Sequence, residues 1–230
     1  MSQKINPISF KLGTLQFWPT AFSKYGKNFK YYSNTLKIYS SVRIYIILFL
    51  IRHKIFLDGL NIKFFHKKVF ININIFSLNK INNFFNLKYL IKVIYYWIKL
   101  PVIINFYNKS SLTNSSFLII NYLTFLIKEE ESVKKILQNI YKIFKEHSGN
   151  YKLIYTSKGI KKVKFKGFKL KFSGCFETSR SQMAKSIKYN FGPLSLTGIN
   201  NYTEYSYKTF YTKFGSCGLK IWLFYEFKSL

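Results

Sequence analysis

Acidic residues are scarce in this chain. Asp58 is the single aspartate, and the eight carboxylates stand against 37 lysines and arginines, for a formal charge of +29 over 230 residues. Self-repulsion on that scale opposes compaction unless a polyanion lies near. With Glu129, Glu130 and Glu131 consecutive, little remains for the converging carboxylates of two-metal nuclease or polymerase chemistry. Arginine is rare as well, at three residues, although its fork fits phosphate better than an ammonium does. The two cysteines, Cys175 and Cys217, form no Cys-x-x-Cys, so free reduced thiols are expected. His53, His66 and His147 have no acidic or cysteine neighbour at metal-ligand spacing. A phosphate-cradling Gly-x-x-x-x-Gly-Lys loop and a Gly-x-Ser-x-Gly elbow are both missing. These absences argue against an enzyme: no catalytic residue, no metal, no cofactor and no small-molecule substrate is expected.

Long apolar runs are missing too. Ile44 to Ile51, Ile91 to Ile104 and Phe117 to Ile127 all fall short of the ~18–20 residues that a bilayer span needs. No membrane span is expected. The opening residues show neither an apolar signal region nor an arginine-rich presequence.

What is present is greasy and basic together. Hydrophobic residues make up 48% and aromatic ones 20%, which excludes a disordered basic tail. The length suits one or two domains with real cores. Lys, Ile, Phe, Tyr and Asn account for 126 of the 230 residues, against two alanines. Their codons are rich in A and T, which points to an organellar genome. A charged, aromatic-rich fold of this kind suits nucleic acid or an anionic membrane.

Two strands stand out near the C-terminus. Phe168, Leu170 and Phe172 alternate with Lys169 and Lys171, giving one greasy and one charged face. Leu219, Ile221 and Leu223 alternate with Lys220, Trp222 and Phe224, and so apolar a strand belongs in the middle of a sheet. Trp222, Trp97 and Met183 are read as core rather than as stacking platforms. Residues 37 to 108 read as a compact α/β unit: a helix over Val42 to Ile51, strands over Leu60 to His66 and Val69 to Phe76, a helix over Asn82 to Leu100 stopped by Pro101, and a strand over Val102 to Phe106. Thr113 to His147 is helical, with Val133, Ile136, Leu137, Ile140 and Phe144 at helical spacing and Lys134, Lys135, Lys142 and Lys145 off that stripe. Residues 148 to 166 read as a basic connector carrying Lys161, Lys162 and Lys164. Asn6-Pro7 disfavours helix before the proline, so the N-terminal arm is expected to be extended.

The run from Gly167 to Trp222 resembles the C-terminal domain of the universal small-subunit ribosomal protein S-three family. Gly167, Lys169, Ser173, Gly174, the run Met183-Ala184-Lys185-Ser186, Gly192, Leu194, Tyr205, Thr212, Gly215, Gly218, Lys220 and Trp222 fall on its pattern. Cys175 stands where the family has arginine, Glu204 where it has aspartate, and Phe214 where it has tyrosine. The opening Ser2 to Gly13 looks like the family's N-terminus, and its Asn-Pro-Ile-Ser-Phe wording looks most like the mitochondrial branch.

The resemblance implies an α+β protein. An extended arm (1–36) is followed by a degenerate type II KH-like α/β domain (37–110) and an α+β C-terminal domain of two helices and a small mixed sheet (111–230). The KH clamp on single-stranded backbone needs a GxxG loop, and no glycine occurs between Gly59 and Gly149. That domain is therefore expected to serve structure. The implied role is a structural constituent of the mitochondrial small ribosomal subunit in the matrix, in the head, beside the S-ten and S-fourteen families. Small-subunit rRNA would be met by Lys4, Lys11, Lys161, Lys162, Lys164, Arg180, Lys185 and Lys188. Messenger RNA would pass Lys134 and Lys135 where it enters the subunit. Gln138 takes a usual lysine's place there, and Glu129 to Glu131 replace arginines. On the residues alone three alternatives stay open: a basic peripheral membrane protein, an organellar RNA-binding protein outside the ribosome, and an organellar RNA-processing enzyme.

Overall fold

The computed structural model describes residues 5–17, 29–65, 67–76, 87–109, 113, 115–129, 133–146, 149–157, 159–175, 183–212 and 215–227. The chain divides into two compact units: Met1–Trp18 with Thr113–Leu230, and Pro19–Leu112. We call them the C-terminal and the middle unit.

The middle unit runs helix α2 (Phe29–Arg52), strands β1 (Phe56–Phe64) and β2 (Val69–Phe76), helix α3 (Leu87–Ile98) and strand β3 (Val102–Asn108). The strands lie in the order β1-β2-β3; β1 pairs antiparallel with β2, and β2 parallel with β3. Period-two alternation in β2 buries Val69, Ile71, Ile73 and Ile75 completely against Val42, Ile46 and Leu50 of α2 and Leu90 and Ile94 of α3. Each such side chain contributes about 1.5–3 kcal/mol by leaving water. Helix α3 stops where Lys99 turns to a φ of 57°, two residues before Pro101. Helix α2 begins at Phe29, inside the stretch assigned to the arm, and its polar first turns explain why apolar spacing marked only its second half. It is the one described helix long and apolar enough, by length and composition, to cross a membrane. This departs from the expectation set by the short apolar runs. Its Val42, Ile46 and Leu50 pack into the core against the sheet, while only 22% of its apolar window is buried and Ile44, Leu48 and Ile51 are 58%, 60% and 59% exposed.

The C-terminal unit has a short helix α1 (Pro7–Lys11), helices α4 (Ser116–Lys128) and α5 (Val133–Glu146), and strands β4 (Tyr151–Thr156), β5 (Gly159–Gly174), β6 (Lys185–Phe191), β7 (Asn201–Thr212) and β8 (Gly215–Phe227). The sheet runs β4-β5-β8-β7, with β6 also on β5. Every pairing in it is antiparallel, so the mixed sheet expected here is corrected; the mixed sheet is the middle unit's. β8 lies between β5 and β7, as its apolar character requires. The stretch read as a connector is the β4–β5 hairpin, in which lysines on the outer positions masked a half-buried alternation. Ile136, Leu137, Ile140 and Phe144 of α5, with Ile119, Ile120 and Leu123 of α4, cover one side of this sheet over Phe168, Leu170, Leu219, Ile221 and Leu223. The Phe144 ring stacks on Phe168 at 4.3 Å.

Glycine is demanded where β5 meets β6. A Cβ on Gly192, whose φ is +70°, would overlap the Lys166 carbonyl oxygen, and one on Gly167 would sit 2.5 Å from the Phe191 carbonyl oxygen.

Candidate nucleic-acid interface

The described N-terminal segment, residues 5–17, is docked rather than extended. Asn6 caps α1, its side chain accepting from the Ile8 N–H at 3.0 Å, and Pro7 fills the first helical position, where no donor is needed. Lys11 ends this helix fully buried, its ammonium donating to the Asn201 carbonyl of β7 at 2.6 Å. Burial pushes its pKa down to about 8. Gln16 donates to the Thr203 carbonyl at 2.8 Å. Lys11 therefore cannot meet an RNA phosphate from this position; it pins the arm to β7, and its assignment as an rRNA contact is corrected.

The other predicted lysines divide by strand register. Lys162 is exposed on the sheet's outer face, 4.6 Å above the Tyr151 ring, and Lys164 lies 5.9 Å from the same ring. Lys188 is exposed on β6, opposite Lys171. Lys161 pairs with buried Ile154, which turns it to the helix side, 5.1 Å above the Phe227 ring. Lys185 is exposed and pairs with Gly174 at the end of β6, two positions before Ile187. Lys135 is exposed on α5, in the helix layer, and Lys134 lies in the first turn of that helix. Gln138 and Glu129 are exposed. Lys4 and Arg180 lie outside the described residues. The structure thus gathers Lys162, Lys164 and Lys188 on one face and leaves Lys135 and Lys161 on the other.

That face holds residues that composition alone did not mark. Across β6, β5, β8 and β7 one row reads Asn190, Lys169, Trp222 and Tyr205, and the next reads Lys188, Lys171, Lys220 and Tyr207. Lys169 lies 5.8 Å from the Trp222 ring and Lys220 5.3 Å from Tyr207. Trp222 is half-buried against Tyr205, ring centroids 5.2 Å apart, rather than in the core. Met183, also read as core, is 71% exposed, and Trp97 is 40% exposed on α3. The alternation of Lys169 and Lys171 was the signal; it lacked the register that sets them beside Lys220.

The carboxylates serve the frame. Glu204 accepts from the Ser116 N–H at the start of α4 at 3.2 Å and from Lys152 at 2.6 Å, so it caps a helix and joins two ends of the sheet. Burial first, then the Glu204 charge, raises the pKa of Tyr202. Lys208, half-buried, donates to Asn121 at 2.9 Å and Thr124 at 3.2 Å, and burial lowers its pKa. Both cysteines are free thiols, and Cys217 is buried. Among the described residues no group of three His, Cys, Asp or Glu could hold a metal ion.

A lysine-rich α+β chain with helices on one side of a basic, ring-bearing sheet belongs to the class of proteins built against nucleic acid. No family model matches the chain. It is 32% identical over 232 residues to the small ribosomal subunit protein uS3m of Chondrus crispus, covering 98% of this chain and 94% of that protein. It is also 32% identical over 92 residues to the uS3m of Acanthamoeba castellanii, covering 40% of this chain and 26% of that longer protein. The chain belongs to the mitochondrial uS3 family of small-subunit ribosomal proteins. The α2-β1-β2-α3-β3 unit is accordingly the family's KH-type domain without its glycine clamp.

Proposed function

We propose that the chain is a structural, non-catalytic component of the mitochondrial small ribosomal subunit that binds small-subunit rRNA in the head and lines the path by which messenger RNA enters. The observation that carries this is the family match running nearly end to end. The charge of +29 supplies the mechanism: lysines replace counterions condensed on rRNA phosphates. Exposed Lys162, Lys185 and Lys188 and half-buried Lys164 meet phosphates, as do Lys4 and Arg180, with Lys161 on the helix side. Lys134 and Lys135, both on α5, serve the messenger path. Members of the S-ten and S-fourteen families are its neighbours in the head. The middle unit, lacking a GxxG loop, serves packing rather than sequence reading.

A tagged chain recovered from mitochondrial lysate and washed in high salt should co-sediment with small subunits in a sucrose gradient and be released by ribonuclease. Recovery at the top of the gradient, or with membranes, would overturn the reading.

A further inference from the structure

We propose that the face of the C-terminal sheet turned away from α4 and α5 is a docking platform for a single RNA strand, with bases stacked on Trp222, Tyr205 and Tyr207 and phosphates held by Lys171, Lys188 and Lys220. None of these contacts is among those that the ribosomal role requires by resemblance, apart from Lys188. The inference rests on that role only for the identity of the polymer.

Three observations converge. Lys188, Lys171 and Lys220 are direct cross-strand partners on three adjacent strands. Like charges placed directly opposite one another destabilise a sheet, and strands only ~4.8 Å apart hold these three within ~10 Å. Such a row is tolerated where an anion lies along it. Neither this row nor its two neighbours contains a carboxylate: one reads Asn190, Lys169, Trp222 and Tyr205, the other Ser186, Ser173, Gly218 and Thr209.

The second observation is the rings. Trp222 and Tyr205 lie half-open on the outer face, and Tyr207 beside the lysine row is 52% exposed. Aromatic side chains turned outward from a sheet beside cations suit unpaired bases, since every base has a π-face to stack. Duplex RNA, whose bases are already stacked, has no use for them.

The third is the setting of Tyr207. The row after the lysines carries only Ser186, Ser173, Gly218 and Thr209, and the Tyr207 ring leans over it, 3.5 Å from where a Cβ on Gly218 would sit, so that ring lies beside small residues. The arm is held further along, at Asn201 and Thr203 of β7. A polyanion of unpaired nucleotides is the occupant that charge and rings together select. An acidic polypeptide would satisfy the lysines and leave the stacking surface unused.

The test uses the full chain carrying Trp18→Phe and Trp97→Phe, so that Trp222 alone emits. Titration with single-stranded oligouridylate should quench that emission. An abasic strand of equal length should bind about tenfold more weakly, because it keeps the charge and loses the stacking. Trp222→Leu should weaken oligouridylate binding by about tenfold. Tyr207→Leu, at a more open position that the core does not use, should do so by a smaller factor. Lys171→Gln with Lys220→Gln should flatten the slope of log affinity against log salt by about 1.4. Unchanged emission, equal binding of the abasic strand, or parental affinity in Tyr207→Leu would each overturn the proposal. So would a photo-reactive group at position 207 that, in assembled small subunits, captures a polypeptide and no RNA. Failure here is distinct from failure of the ribosomal role. A chain that co-sediments with small subunits while Trp222 ignores the strand sinks only this proposal, and one that binds the strand but stays off the subunits sinks only the other.

Discussion

The two sheets of this protein each bury one face under helices and turn the other outward, and the outward faces could hardly differ more in chemistry. On the middle unit the central outward row is Asn61, Asn72 and Asn105, with the Asn105 amide donating to Asn72 at 3.1 Å. Its neighbours are Phe70, Ile103 and Tyr107, with Lys63 the charged member opposite Phe70. On the C-terminal unit the corresponding rows carry lysines side by side, interleaved with Trp222, Tyr205 and Tyr207. On the first face Asn105 and Asn72 satisfy each other; on the second, lysines set opposite one another carry a like-charge cost that an anion would offset. Position on the pleat, rather than total charge, sets the two outward faces apart.

The comparison breaks first at the cores. Ile221→Ala and Ile73→Ala each remove a fully buried side chain from a separate cluster, and each should lower stability by about 2–5 kcal/mol in denaturant titration. Gly192→Ala should do comparable harm by driving a Cβ into the Lys166 carbonyl, read as lost amide protection along the β5–β6 pairing. If Gly192→Ala left that protection intact, the close approach would be irrelevant to the fold.

Both alternations were plain in the residues. Phe168, Leu170 and Phe172 point to the core as their spacing demands, and Phe70 to Ile75 marked β2 to its ends. Other features were hidden for physical reasons. The β4–β5 hairpin looked like a connector because Lys161, Lys162 and Lys164 crowd its short apolar alternation. Trp222 looked like core because hydrophobicity does not say which side of a strand faces the helices. The burial of Lys11 depends on a carbonyl 190 residues away, which no local pattern contains.

The faces can be sharpened against each other by smaller changes. Converting Lys169, Lys171 and Lys220 together to Gln should reduce the salt slope of rRNA binding by about 2, if each meets one phosphate of an unpaired strand. Asn105→Ala on the amide face should leave that slope unchanged and cost about 0.5–1.5 kcal/mol of stability. A loss of RNA affinity in Asn105→Ala would erase the distinction between the faces.

The smallest effect concerns the arm. Lys11 has its pKa lowered from 10.5 to about 8, so between those values the unfolded chain binds the proton and the folded chain releases it. Stability from this group is therefore least below pH 8 and rises as pH climbs from about 8 toward 10.5. The stability difference between the parent and Lys11→Met should follow that rise and flatten above it, with the other titrating groups cancelling. A flat difference across this range would mean that the Lys11 ammonium is not buried in the folded chain.

The central claim is that a surplus of ammonium groups on a folded scaffold neutralises ribosomal RNA. Titrating the purified chain with small-subunit rRNA at increasing salt tests it most directly. If about six to ten phosphates are engaged, affinity should fall by ~10³–10⁵ between 50 and 200 mM salt. Weak binding at the lowest salt, or affinity that does not change across the series, would contradict it.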